Sequence, residues 1–308
     1  MAIGNRILNQ SEAARVDLSR FDAEKINRPT ITFWQGAWRR MRKNPIAIIS
    51  MVLLGILIFF MLFGPAIADK DYITINAKLK NQSPNAENWF GTDALGRDLF
   101  SRIWLGCRLS LLVALVCSFI QIVVGCAYGG TMAYCGGVVD MVMMRIIDII
   151  YAVPSLIYVV LILLVFGDSI GSMMLAICLT SWIGMARQVR AQVMSLKEME
   201  FSLAAKVIGA SDRRILLKHL IVNALGPIIV SLTMMVPGAI FTESFLSFVG
   251  IGLNPAIPSW GKLANDCRAL VFTQPIQIIW PVGAICLTIL ALNFVGDGIG
   301  EAFQARTR

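Results

Sequence analysis

The side chains that most often carry chemistry are few and poorly placed for it. The chain has one histidine, His219, and seven cysteines, none in a C-x-x-C pair. A nucleophile needs a base within hydrogen-bond reach, and His219 has no such company. Gly91 and Gly96 have the G-x-x-x-x-G spacing of a phosphate loop. Arg97-Asp98 follows them where Lys-Ser/Thr would hold phosphate and magnesium. No catalytic set, metal site or cofactor is expected on this chain. Most of the cysteines sit in or beside apolar runs, where the thiol acts as a small hydrophobe. Spacing is informative elsewhere, in the charged stretch 201–223, where Ala204-Ala205 is followed after three residues by Gly209.

That stretch reads as a helix, a turn and a second helix. Leu203, Ala204, Val207 and Ile208 form an apolar stripe, and the alanines favour helix with little bulk. Gly209 can end the helix in the left-handed conformation. After Ala210, Ser211 or Asp212 can cap the next helix, which Ile215, Leu216 and Leu220 continue on one face. Pattern alone leaves two readings, an amphipathic pair lying on a membrane or a docking surface for another protein.

The elements around it are membrane spans. The chain of 308 residues is 57% hydrophobic, with mean hydropathy +0.71. Uncharged runs cover 46–68, 109–139, 149–167, 169–186, 220–242 and 269–296. A spanning helix needs about 20 apolar residues, so six are expected, the third starting before Asp148. No strand-period alternation suggests a barrel. With the amino terminus placed in the cytoplasm, the inside segments hold 19 of the 27 Lys and Arg residues, the positive-inside bias. The net charge of +8 therefore reads as topology and headgroup contact, not as a nucleic-acid surface.

Residues 1–45 form a cytoplasmic segment with no cleavable signal. Its end reads as an aromatic and basic interfacial elbow that Asn44-Pro45 separates from the first span, 46–68, the alternative being the start of that span with its basic anchor. Residues 69–107 are extracytoplasmic, 108–298 hold the remaining spans with the loop 187–222, and 299–308 form a cytoplasmic tail. Gly125, Gly129 and other small residues in the second span suit close helix packing. Arg145 and Asp148, three apart, can pair on one helix face, as a headgroup-level anchor or a structural brace. Pro154, Pro227 and Pro237 bend spans. Glu243 is the one carboxylate in an uncharged stretch. A charge at the bilayer centre costs roughly 3 kcal/mol, so it either turns into the bundle, at the pathway or a helix interface, or lies at the outer interface.

The stretch 201–223 resembles the E-A-A-x3-G cytoplasmic loop of ATP-binding-cassette importer permeases. Ala204, Ala205, Gly209, Ala210, Ser211, Asp212, His219 and Asn223 match, while Leu203 stands where the family often has Glu and Val222 where it often has Pro. Phe90-GTDALGRD-Leu99, Arg145-Ile-Ile-Asp148, Glu243-Ser-Phe-Leu-Ser, Pro258-Ser-Trp-Gly261 and Asn293-Phe-Val-Gly-Asp297 are similar to the C-type permease of oligopeptide, dipeptide and nickel importers.

The resemblance implies an all-α, polytopic bacterial plasma-membrane protein of the type I importer fold, both termini cytoplasmic. It implies a heterodimer with a second permease, two ATPase subunits holding ATP and Mg, and an extracytoplasmic substrate-binding protein. Leu203, Ala204, Ala205, Ile208, Gly209, Ala210, Ser211 and Asp212 would dock on the ATPase. Peptide is the expected cargo, nickel or another small solute the alternative. An ion-coupled transporter or channel is the reading from another class. It would want ionisable groups at mid-membrane, where only Glu243 is a candidate.

Overall fold

The computed structural model describes residues 38–39, 41–70, 72–251 and 257–304. The expected interfacial elbow and the last four residues of the tail lie almost wholly outside them. Helix α1 covers Pro45–Ala68. Asn44 starts it, its Oδ1 accepting from the amides of Ile46 at 3.1 Å and Ala47 at 3.2 Å, while Pro45 occupies a position where no amide partner is needed. Helix α2 covers Leu99–Cys135, beginning ten residues before the uncharged run. Asp98 sets that start, its Oδ2 accepting from the Ser101 amide at 2.8 Å.

The expected third span is a broken pair, α3 (Gly137–Ala152) and α4 (Ser155–Phe166), bent by 79°. Pro154 cannot donate to the Ile150 carbonyl four residues earlier. The Tyr158 hydroxyl donates to that carbonyl instead, at 3.2 Å. Helix α5 covers Ile170–Lys197, α6 Glu200–Val207 and α7 Asp212–Arg214. A π-helical segment, Ile215–Leu220, joins α7 to α8, Ile221–Val249. Helices α9 (Trp260–Arg268) and α10 (Pro275–Gln304) complete the order. Five helices are long and apolar enough to cross a membrane, or six with the bent pair counted as one span. The described residues form no strand beyond one isolated bridge, Thr92 to Asp98.

Close backbone approach holds the bundle together. Helix α2 packs along α5, and a Cβ on Gly129 would collide with the Ala186 carbonyl, one on Gly125 with Met185. Small residues permit such approach in lipid, where hydrophobicity does not drive helices together. Helix α8 packs on α2 and α10, and α10 on α1. At one end Trp260 is fully buried and donates from Nε1 to the Ile103 carbonyl at 3.0 Å. Phe60 stacks on Trp104 at 5.0 Å.

The segment between α1 and α2 folds around Asp93, which accepts from Arg97 Nε at 2.8 Å and from the Leu95 and Arg97 amides at 2.9 Å. Gly91 and Gly96 have φ of +78° and +76°, which glycine adopts without strain. Gln277 of α10 then donates to the carbonyls of Gln82 at 3.2 Å and Thr92 at 3.1 Å. The G-x-x-x-x-G spacing is thus a turn clamped to a helix end.

Candidate functional site

The loop after α5 is built as the alanine and glycine spacing demands. Helix α6 ends in paired bonds, Gly209 N to Lys206 O and Ala210 N to Ala205 O, both 3.0 Å. This is the Schellman arrangement, which needs a left-handed residue at the glycine. Gly209 has φ +87°. Ala205 and Ala210 are partly buried and pack together against the apolar cluster of Val189, Val193, Ile215 and Leu220. The outward face is different. Leu203, Val207 and Ile208 are 54%, 87% and 86% exposed, and Ala204, Gly209, Ser211 and Asp212 are exposed beside them. The small residues divide their work, Ala205 and Ala210 seating the turn on its own bundle while Leu203, Val207 and Ile208 stand clear of it.

Ser211 occupies the cap position of α7, but its side chain makes no capping bond. The Asp212 carboxylate accepts from the Tyr134 hydroxyl at 2.5 Å. Lys197 donates to the Tyr134 carbonyl at 2.6 Å and lies 5.3 Å from the Tyr134 ring. The second half of the loop is therefore fastened to the end of α2 and, through Lys197, to α5. Behind α6 lies a cavity of about 450 Å³ lined by Tyr134, Asp140, Lys197, Ser202 and Lys206 among others.

The chain enters α8 through the π segment. One extra residue per turn there displaces everything after it around the helix axis. Such segments occur where a helix must carry a functional offset. His219 lies in it, and Asn223 Nδ2 donates to the His219 carbonyl at 2.6 Å.

Arg145 and Asp148 lie together, Nη1 to Oδ2 at 3.7 Å, with the Arg145 side chain 77% exposed. Asp148 is closer to Arg187 of α5, at 3.2 Å. One turn further, Arg190 makes a two-pronged contact with Asp140, both bonds 2.6 Å. In the sequence Arg187 and Arg190 count only among the inside positive charges. The signal available was Asp140 and Asp148 two turns apart on one helix, with Arg187 and Arg190 one turn apart on another.

Glu243 is fully buried. Its carboxylate accepts from Ser110 Oγ of α2 at 2.8 Å, Ser247 Oγ at 3.0 Å and Ser244 Oγ at 3.3 Å. The Trp260 amide lies 3.5 Å from Ser110 Oγ. Glu243 therefore turns into the bundle, at the junction of α8, α2 and α9. A carboxylate there is tolerable because several donors replace the water it loses.

Residues 121–308 match the model of the binding-protein-dependent transport system inner membrane component. Residues 32–84 match that of the N-terminal transmembrane domain of oligopeptide transport permease C. The chain is similar to the oligopeptide transport system permease protein OppC of Bacillus subtilis, 39% identical over 93% of this chain and 94% of the relative. It is similar also to the dipeptide transport system permease protein DppC of that organism, 40% identical over 93% and 90%. To OppC of Escherichia coli K12 it is 36% identical over 93% and 95%. An all-α, multi-pass bundle with these relatives along nearly its whole length belongs to the family of inner-membrane permease components of binding-protein-dependent transport systems.

Proposed function

We propose that this chain is one half of the channel of an ATP-driven peptide importer, and that the loop around Gly209 receives the mechanical stroke. Peptide is the cargo because the relatives that cover the chain are named as oligopeptide and dipeptide permeases. The chain carries no Walker lysine loop of its own, so ATP and Mg belong to two ATPase partners. A second, related permease completes the channel, and a substrate-binding protein delivers the peptide from outside. The loop and both termini face the cytoplasm.

The observation that carries this reading is the exposed stripe Leu203, Val207 and Ile208, held out by the turn at Gly209. Three apolar side chains on a stiff turn suit a groove on a partner. Asp212 and Tyr134 join that turn to α2, and the π segment joins it to α8. The cavity behind α6 gives the stripe room to be pressed inward. Arg190 with Asp140, and Arg187 with Asp148, keep α3 moving with α5.

The test is reconstitution of the purified full complex in vesicles with its binding protein. ATP-dependent accumulation of a labelled tripeptide is expected, and Ile208→Glu should abolish it while leaving the two permeases associated. Accumulation without ATP, or full activity of Ile208→Glu, would refute the proposal.

A further inference from the structure

The break between α3 and α4 interrupts the helical backbone at Val153 and Pro154 inside an apolar segment. Non-helical backbone at membrane depth persists where it is buried in protein or lines a water-filled cavity. Next to this break is a bay of about 520 Å³, walled by α2, α4, α5 and α8. Ser155, the first residue after the break, lines it.

Two properties separate this bay from a lipid-facing groove. It contains unspent polar groups. Gln121 is only 5% exposed and has no side-chain hydrogen bond among the described residues. Ser181 Oγ is buried without a partner. A polar side chain without a partner in an apolar wall is unfavourable, so the Gln121 amide and the Ser181 hydroxyl lining this bay point to a visitor that pairs with them. The second property is the charge of the lining, which is nil. Thr180, Thr242 and Phe241 complete the wall, and the neighbouring Glu243 is turned away into its serine cluster.

We propose that this bay is the surface this chain offers to the moving solute, and that it reads peptide backbone while ignoring side-chain charge. The proposal rests on the peptide-importer reading. The Gln121 amide both donates and accepts, which matches a peptide group, and Phe241 offers an apolar face to side chains. An uncharged wall neither traps nor repels Lys or Glu residues of a cargo. Passage requires binding strong enough for entry and weak enough for release.

The test uses the complete importer in vesicles, with uptake of Ala-Lys-Ala, Ala-Glu-Ala and Ala-Ala-Ala normalised to loading of the binding protein. The unmodified complex should move the three at similar rates. Thr180→Asp should shift the cationic-to-anionic uptake ratio by about fivefold or more, and Thr180→Lys should shift it the other way. If either charged variant fails to assemble, Thr180→Cys is modified after assembly with an anionic or a cationic thiosulfonate, the unmodified complex serving as control for native cysteines. Gln121→Leu should lower uptake of all three peptides several-fold. A ratio unmoved by either charge, or Gln121→Leu with full uptake, overturns the proposal and marks the bay as lipid-facing. If the unmodified complex hydrolyses ATP but accumulates none of the three, the peptide reading itself fails and takes this inference with it.

Discussion

Arg108 donates from Nε to the Met61 carbonyl at 2.7 Å and from Nη2 to the Leu62 carbonyl at 2.8 Å. Met61 lies four residues before Pro65, the proline inside α1. Its carbonyl is the one that the missing proline amide leaves open. An arginine on α2 thus mends the helix that proline interrupts, and joins α1 to the bundle in doing so. Tyr158 does the same for the Ile150 carbonyl ahead of Pro154.

Replacing Arg108 by Leu should destabilise the permease by about 1.5–3 kcal/mol, the range for hydrogen bonds to charged groups. In a Pro65→Ala background α1 recovers its own amide, and the same replacement should cost at least about 1 kcal/mol less. Unfolding of all four variants in detergent gives the coupling. Equal costs in the two backgrounds would mean that Arg108 serves only as a headgroup anchor.

Gly209 has open space where a Cβ would sit, so its requirement is conformational. Asparagine tolerates the left-handed region and β-branched residues do not. Gly209→Asn should retain most uptake, whereas Gly209→Val should assemble with reduced stability, by about 1–2 kcal/mol, and lose transport. ATPase activity stimulated by the loaded binding protein reads coupling directly. An inactive Gly209→Asn complex would instead show that the partner comes too close there for any side chain.

The spans were legible because a bilayer demands long uncharged runs, and the turn at Gly209 was legible because its bonds are local. What escaped depends on distant partners. Helix α2 starts at Leu99 although Arg102 and Arg108 interrupt its apolar run. Arg102 is buried 3.5 Å from Asp93, and the partners of Arg108 are about 47 residues upstream. Arg190 and Asp140 are 50 residues apart. The π segment has no composition of its own, since its residues continue the apolar stripe of α8. Glu243 was legible as a carboxylate needing partners, but no spacing rule brings Ser110 to it from 133 residues away.

Arg190 and Asp140 are 28% and 18% exposed with two short bonds, whereas Arg187 and Asp148 are 41% and 43% exposed with one longer bond. Charge-assisted, two-pronged pairs that are partly buried couple strongly, and exposed pairs contribute little. A double-mutant cycle on Arg190→Leu and Asp140→Leu should give about 1–2 kcal/mol of coupling. The cycle on Arg187→Leu and Asp148→Leu should give less than about 0.5 kcal/mol. The reverse order would make Arg187 the principal brace of α3.

Gly129 and its neighbour Gly130 offer a paired control on helix packing. At Gly129 an added Cβ meets Ala186 backbone, which cannot rotate away. At Gly130 it reaches the Ile221 side chain at 3.4 Å, ordinary contact. Gly129→Ala should force α2 and α5 apart and lower the yield of assembled permease severely. Gly130→Ala should assemble normally and gain slightly from higher helix propensity. Membrane-fraction yield and detergent melting distinguish them, and normal assembly of Gly129→Ala would mean that the two helices have room to slide.

Glu243 closes the junction where α2, α8 and α9 meet, and its two oxygens are shared among the hydroxyls of Ser110, Ser244, Ser247 and Ser259. Glutamine keeps the shape and one acceptor oxygen, and hydroxyls can turn to accept from its amide. Glu243→Gln should cost about 1 kcal/mol of stability and leave peptide uptake per assembled complex nearly unchanged. Leucine cannot accept from any of these hydroxyls. Stranding them should cost about 3 kcal/mol or more, seen as loss of assembled protein while uptake by the remaining complexes persists. The two variants separate a structural carboxylate from a transporting one. A well-assembled Glu243→Gln complex that hydrolyses ATP but moves no peptide would place the carboxylate on the transport path, and the serine cluster would then be its resting position in one state of the cycle.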